Sequence, residues 1–499
     1  MFSLDNRRDN CIFAGKISNM ASPTLKEKTA RGLLWGGLSN GVQQALNLLF
    51  GIFLARMLTP ADYGMVGMLT IFSLIAAALQ ESGFTAALVN IRNIQHKDYN
   101  AVFWFSILMS VTIYVILFFC APLIADFYET PELTALARYS FLGFVVSSFG
   151  TAQSGFILKN LMVKQRAISE FVGLVVSGCV GLLLVYNGFA YWGIATQSIT
   201  YTLVVTLMLW HYSSWRPTWE IDFTPLKSMI GFSSKLLATK IFTQINYNIY
   251  SVLLGKFYNK ELVGYYNQGY KWSSMGGQLI LRMVASVAHP VLSSVSHDRE
   301  RQLQVFQKML AFTSFISFPV MLGLGFVAEE LILVTIKEKW LPCVPIMQLL
   351  CISGAFVPIN DLHKQLVISK GKSNIYLWNT VIMSMALIVG ALGSYTYGII
   401  PMVVVYVVLS ICWLFVWYYF VSKEIDLTLT GLLMNILPYA FATIVTILLS
   451  WYITEGITNL YWLLVAKIST SVVIYICILW ICKASILKES IHFVLHKKC

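Results

Sequence analysis

The stretch Leu54-Ala55-Arg56-Met57-Leu58-Thr59-Pro60-Ala61-Asp62-Tyr63-Gly64 returns 200 positions later as Leu254-Gly255-Lys256-Phe257-Tyr258-Asn259-Lys260-Glu261-Leu262-Val263-Gly264. At that constant offset Arg56 aligns with Lys256, Gly64 with Gly264, and Gln44 in the preceding segment with Gln244. Each copy ends one long apolar segment and begins another. A hydrophobic chain built from two such halves reads as a two-lobed membrane transporter, because internal repeats supply two bodies able to rock about a central site.

Composition places nearly all of the chain in a bilayer. Of 499 residues 57% are hydrophobic and 12% charged, with a mean hydropathy of +0.70, which leaves little for a soluble domain. The net charge of +12 does not point to nucleic acid, because the basic residues sit in short loops between apolar stretches, where they orient a chain in the membrane. The nine cysteines are scattered, with no CxxC pair, so neither a metal site nor a disulfide framework is expected; they read as small buried hydrophobes. There is no Gly-rich phosphate loop, HExxH or GxSxG. The connecting loops, about 20 residues at most, are too short for a catalytic or nucleotide-binding domain. An enzyme, an ATP-driven pump and a large-loop glycan polymerase or ligase are thereby disfavoured, and no cofactor is expected.

A spanning helix needs about 20 mainly apolar residues. Segments of that kind run over 33–54, 64–88, 101–121, 134–157, 169–186, 191–212, 230–254, 265–292, 306–327, 342–366, 375–393, 397–420, 430–452 and 460–482. The expected fold is therefore an all-α integral membrane protein with about fourteen transmembrane helices, in two pseudo-symmetric six-helix lobes plus two C-terminal helices. The expected division is a cytoplasmic segment 1–31, a first lobe 32–213, an inter-lobe linker 214–229, a second lobe 230–420, two additional helices 421–482 and a basic cytoplasmic tail 483–499. The polar, irregular composition before Met20 makes Met20 the expected start.

Loop charge sets orientation. Roughly 25 of the 35 basic residues fall on the side of the N-terminus, and seven (Arg56, Arg138, Lys256, Lys260, Lys271, Lys337 and Lys339) on the other, which places both termini in the cytoplasm. Lys240, Arg282 and Lys467 remain, inside expected helices. Lys467 lies close enough to its helix end to snorkel. Lys240 and Arg282 each lie about ten residues from a cytoplasmic end, or about 15 Å deep, near the midplane.

Two cations at one depth on consecutive helices suggest an anion site. Lys240 is followed at spacings of three and four by Gln244, Tyr247, Asn248 and Ser251, which share one helix face. The first helix repeats the pattern with Asn40, Gln43, Gln44, Asn47 and Gly51. Such stripes either bond to neighbouring helices or line an aqueous cavity. The ligand that suits paired mid-membrane cations is a phosphate or diphosphate. The other reading is an ion pair with an intramembrane acid such as Glu81 or Asp361. Glu81, Asp361 and His363 are also the groups through which transport would couple to H+ or Na+, although Glu81 and Asp361 lie within about two turns of the cytoplasmic interface.

The basic lead Lys26-Glu27-Lys28-Thr29-Ala30-Arg31-Gly32, the polar-striped first helix and the Leu54–Gly64 segment resemble the opening of bacterial Wzx-type polysaccharide exporters. These belong to the multidrug/oligosaccharidyl-lipid/polysaccharide exporter superfamily, and within it the chain is most similar to the colanic-acid and teichuronic-acid exporter group. The resemblance covers about Met20 to Cys482. It implies a flippase of the bacterial inner membrane that moves an undecaprenyl-diphosphate-linked oligosaccharide repeat unit between leaflets by alternating access, for lipopolysaccharide, capsule or exopolysaccharide synthesis, with membrane lipids and glycan polymerases or ligases as partners. Lys240 and Arg282 would then hold the diphosphate, and Asn40, Gln43, Gln44, Asn47, Gln244, Tyr247 and Asn248 would line the glycan cavity. Related lipid II flippases place several arginines in the first lobe, where this chain offers amides and Glu81. A cation-coupled multidrug exporter of the same superfamily is the alternative; it would want an acidic, aromatic-lined cavity.

Overall fold

The structure, a computed structural model, describes residues 25–483 and 486, with side chains of the first helix described from Gly41 onward. The expected start at Met20 lies outside the described residues, as does the expected basic tail apart from Lys483 and Ile486. Among the described residues there are helices and turns but no strand, as a chain with no water to satisfy its backbone requires.

Helix α1 (Leu25–Met57) turns at Leu58 into α2 (Pro60–Glu81). The turn is written in the repeated segment: Thr59 caps α2, its hydroxyl accepting from Asp62 N while the Asp62 carboxylate accepts from Thr59 N at 2.9 Å, and Pro60 occupies the first turn. Left-handed Ser82 and Gly83 then separate α2 from α3 (Phe84–Asn90). The first half continues through α4 (His96–Phe127), α5 (Leu133–Ser140), α6 (Leu142–Ser148), α7 (Thr151–Lys159), α8 (Val163–Tyr186) and α9 (Ala190–Tyr212).

The second half opens with α10 (Leu226–Phe257) and α11 (Lys260–Ser294), joined by the second copy of the segment, with Asn259 accepting from Leu262 N at 2.9 Å as the cap. It proceeds through α12 (Arg299–Phe326), α13 (Ala328–Ile336), α14 (Val344–Ser369), α15 (Ser373–Ser394) and α16 (Ile399–Ile425) to α17 (Leu429–Met434), α18 (Leu437–Thr454) and α19 (Leu460–Ile481).

Each of the fourteen expected spans coincides with a helix or a broken helix. Ten spans among the described residues are long and apolar enough to cross a membrane, or eleven when the pair Leu133–Ser148 and Thr151–Lys159, bent by 42°, counts as one. The three expected spans that fall short correspond to α1, α10 and α11. These are the helices interrupted by amides and lysines, so the shortfall marks the polar interior.

The bundle is apolar outside and locally polar inside. Leu108, Val115, Phe119 and Leu123 of α4 are exposed, whereas Gln80, Gln153, Ser148 and Gln268 are buried. Gln80 Nε2 donates to the Thr151 hydroxyl at 2.8 Å, one of the interhelical bonds that replace hydrophobic attraction within lipid. The cysteines depart from the buried reading: Cys343 and Cys351 are buried, but Cys179, Cys412, Cys477 and Cys482 are exposed.

The two copies of the repeated segment meet. A β-carbon on Gly64 would lie 1.7 Å from the Lys260 carbonyl oxygen, and one on Gly264 1.9 Å from that of Pro60. Since 60 matches 260 and 64 matches 264, the contact is reciprocal. Only residues without a β-carbon allow the starts of α2 and α11 to cross at backbone distance.

Arg56 and its neighbours close the same end. The Arg56 guanidinium donates to the carbonyls of Thr335 (2.5 Å) and Val334 (2.9 Å). Lys339 donates to the carbonyls of Arg56 (2.8 Å) and Leu58 (2.7 Å), and Trp340 Nε1 to that of Ala55 (2.9 Å). The last carbonyls of α1 and α13, which no helix can satisfy internally, are thus capped by side chains from the facing segment.

Lys467 does not snorkel. Its ammonium binds the Glu330 carboxylate at 2.5 Å, with both side chains largely buried, and lies 4.6 Å from the centre of the Phe326 ring. This pair ties α19 to α13.

Candidate functional site

Helix α1 presents Gln43, Gln44, Asn47 and Gly51 at spacings of three and four to the gap between the two halves. There they line two adjoining cavities. The first, about 360 Å3, is bounded by Gln44, Asn47 and Gly51 of α1, Tyr63 of α2, Gln197 of α9, and Lys271, Ser274 and Gln278 of α11. Among the described residues no carboxylate lines it.

Lys271 is the cation of this cavity. Among the described residues its ammonium has neither an ion-pair nor a hydrogen-bond partner. A β-carbon on Gly51 would stand 2.6 Å from its Nζ, so the glycine leaves the ammonium its room. Loop counting assigned Lys271 to the surface opposite the N-terminus; the structure instead sets it three turns into α11, facing the amides of α1. The missed signal was its own periodicity. Lys271, Ser274, Gln278 and Arg282 follow at three and four residues, the same rule that picked out the stripes of α1 and α10.

Arg282 continues that track. Eleven residues separate it from Lys271, so the two point within about 20° of each other, about 16 Å apart along the helix. Arg282 is exposed beyond the end of the first cavity and is not among its lining residues.

Lys240 lies elsewhere. Its ammonium donates to the Glu81 carboxylate, joining α10 to the end of α2 with both side chains part-exposed. Of the two readings left open for Lys240, the structure displays the ion pair with Glu81. The stripe expected to follow Lys240 is also divided. Asn248 donates to the Gln244 carbonyl within its own helix at 2.9 Å, and Ser251 donates to Asn267 Oδ1 at 2.7 Å. Gln244 and Asn248 line neither the Lys271 cavity nor the pocket that holds Tyr247.

Tyr247 joins Asp361 in that pocket, a third cavity of about 180 Å3 within the second half, with Thr243, Asn246, Asn360 and Lys364. Asp361 accepts from Gln365 Nε2 at 3.2 Å. His363 is buried against the Phe306 ring, 5.1 Å between centres, and lines none of the three cavities. Asn40 lies on α1, its side chain outside the described ones. The residues expected to form one site are thus spread over a central cavity with Gln43, Gln44 and Asn47, an interhelical pair Lys240–Glu81, and a pocket with Tyr247 and Asp361.

The second cavity, about 390 Å3, shares Asn47, Ile194 and Gln197 with the first and adds Gln43, Glu170, Ser177, Ser198 and Tyr201. The Glu170 carboxylate accepts from Gln43 Nε2 at 3.0 Å and from Arg166 Nε at 2.9 Å. At its other end the first cavity is roofed by Tyr63, whose ring meets Trp340 edge-on at 5.3 Å, directly beneath the corner closed by Arg56 and Gly64. Among the described residues no cluster of side chains is arranged to hold a metal ion.

Residues 53–345, more than half of the chain, match the family described as polysaccharide biosynthesis protein. The lipopolysaccharide biosynthesis protein WzxC of Escherichia coli (strain K12) is 23% identical over 75% of this chain and 78% of its own. The succinoglycan biosynthesis transport protein ExoT of Rhizobium meliloti (strain 1021) is 23% identical over 94% of this chain and 96% of its own. Among solved structures, the lipid II flippase MurJ in an inward closed conformation superposes with a TM-score of 0.73 at 16% identity, covering 93% of this chain and 99% of that one. The chain therefore has the MurJ fold.

Proposed function

Because the chain belongs to the polysaccharide biosynthesis protein family, we propose that it is a flippase that carries a diphosphate-linked oligosaccharide, on an undecaprenyl lipid, from the cytoplasmic to the outer leaflet of the bacterial inner membrane. The observation that carries the reading is Lys271: a cation without a partner among the described residues, in a polar cavity without a carboxylate, between two halves that meet through matched segments. An ammonium so placed is offset best by an anionic ligand, and the amides that line the same cavity offer further donors to a phosphate. The drug-exporter reading needs acid in that cavity to hold an organic cation, and the first cavity has none.

In this reading fourteen helices span the membrane, α1, α10 and α11 included, as lobes over 32–213 and 230–420, linked by 214–229, with two trailing helices to 482 and both termini cytoplasmic. The corner at Arg56 and Gly64 then closes the outer side. The lobes rock about the cavity, Lys271 holds the diphosphate with Arg282 one cavity length away as the cytoplasmic-side contact, and Gln43, Gln44 and Asn47 face the glycan. Lys240 and Glu81 join the lobes on the inner side, and Asp361 remains the candidate for H+ or Na+ coupling. Polymerases or ligases would receive the flipped product.

The test is a gene deletion complemented with wild type or Lys271→Gln, measuring surface polysaccharide and lipid-diphosphate oligosaccharide left on the inner leaflet. Loss of glycan with trapped intermediate, rescued by wild type alone, is expected. Full rescue by Lys271→Gln would sink the site, and unchanged glycan with altered tolerance of cationic drugs would sink the function.

A further inference from the structure

Among the described residues that line the two cavities the one carboxylate, Glu170, belongs to the compartment opening off the Lys271 cavity, and the chemistry changes across their shared wall. On the near side stand a lysine and amides; on the far side stand Glu170, Gln43, Ser177, Ser198 and Tyr201. A glycosyl diphosphate has the same order, an anion joined through one oxygen to a polyol. We propose that the Glu170 compartment binds the sugar residue attached directly to the diphosphate, an inference that rests on the reading of Lys271 as the diphosphate site.

Charge alone gives the ligand one orientation. Glu170 repels a phosphate but accepts from sugar hydroxyls, while Lys271 attracts the phosphate and has no comparable use for a neutral ring. The Glu170 carboxylate is also held in place, since Arg166 binds one of its oxygens and Gln43 the other, which fixes the plane of the group and leaves lone pairs on each oxygen for adjacent hydroxyls. Ser198 and Tyr201, three apart on α9, add hydroxyl groups on one face, and Tyr201 offers its ring to the apolar side of a pyranose. Leu174 and Ile194 supply the remaining apolar wall. At about 390 Å3 the compartment falls within the roughly 300–1,000 Å3 common for small-ligand sites. Sites that hydrogen-bond hydroxyls discriminate strongly against ligands lacking them, because their buried polar groups are then left unpaired. This subsite would accordingly select the first sugar, while the longer glycan remains in the wider space between the lobes.

The experiment measures binding to purified full-length protein in detergent of a short-chain polyprenyl diphosphate, and of the same lipid bearing one glucose, galactose or N-acetylglucosamine. Wild type should bind at least one glycosylated lipid about tenfold or more tightly than the bare lipid. Glu170→Gln and Tyr201→Phe should abolish that preference without weakening the bare lipid, whose retained binding also reports that the variants are folded. Lys271→Gln should weaken both lipids together. A preference that survives Glu170→Gln, or that is absent from wild type for all three sugars, overturns the subsite while leaving the diphosphate reading intact. Bare-lipid affinity unaffected by Lys271→Gln overturns the reading on which it rests.

Discussion

Gly64 and Lys260 meet backbone to backbone, and the matched pair Gly264 and Pro60 repeats the contact in reverse. This reciprocity explains why, of a repeat otherwise much degraded, the glycine stands in both copies. It also makes the corner a two-position element: with a side chain at either glycine, α2 and α11 cannot reach the observed crossing.

Gly64→Ala and Gly264→Ala are therefore expected to hold the corner open rather than unfold the bundle. Overpacking of this kind costs about 1–3 kcal/mol, enough to reverse a modest preference between two conformations. A cysteine at Tyr63, beneath the corner, should react with a membrane-impermeant maleimide added from outside in the alanine variants and resist it in the wild-type background. Equal labelling of both would refute the closing role.

Arg56→Ala removes a cap on two α13 carbonyls at once. Each charged bond is worth about 1.5–3 kcal/mol when its partner has no substitute, but water reaches this exposed corner, so the expected effect is an open-shifted population and severalfold slower export. Arg56→Lys should recover part of it, because lysine offers one point charge in place of the fork that spans Thr335 and Val334. Wild-type export by Arg56→Lys would mean that charge alone matters there, and export no better than that of Arg56→Ala that the fork is required.

The Lys240–Glu81 pair is part-exposed and should contribute no more than about 1 kcal/mol. Its expected importance is positional. Glu81→Lys should impair glycan export by placing two cations together, and Lys240→Glu in the same chain should restore it. If the double exchange stays as defective as Glu81→Lys, the pair is not what holds α10 to α2.

Lys467 and Glu330 present the opposite case, a pair almost withdrawn from solvent. Lys467→Met or Glu330→Gln alone should lower stability by about 3–5 kcal/mol, because one charge is left buried, while Lys467→Met with Glu330→Met should come back close to wild type. Thermal unfolding of the detergent-solubilised protein, followed by fluorescence-detected size exclusion, measures all three. Additive losses in the double variant would show that the ions act independently.

Much of this protein is legible in its sequence. Hydropathy locates the most apolar helices, ten or eleven spans among the described residues, because in lipid a long apolar segment has almost no other backbone solution. The Leu54 and Leu254 segments mark the equivalent corners, since capping residues and a required glycine act within a few residues of themselves. The amide stripe of α1 is legible through helical periodicity, and Gln43, Gln44 and Asn47 of it stand along the two adjoining cavities. What periodicity cannot supply is the partner across the gap. Lys240 and Lys271 are both lysines inside long helices, and nothing local distinguishes the one that meets Glu81 from the one that, among the described residues, is left unpaired in an amide-lined cavity. That choice depends on how α2, α10 and α11 cross, a long-range packing outcome fixed by contacts such as Gly64 on Lys260. Charge counting misplaced Lys271 because it treats residues near a helix end as loop. The pairing of Lys467 with Glu330, and the joining of the Lys271 and Glu170 compartments through Asn47 and Gln197, were decided the same way. Sequence determines which surfaces each helix offers; only the packed bundle decides which of them face one another.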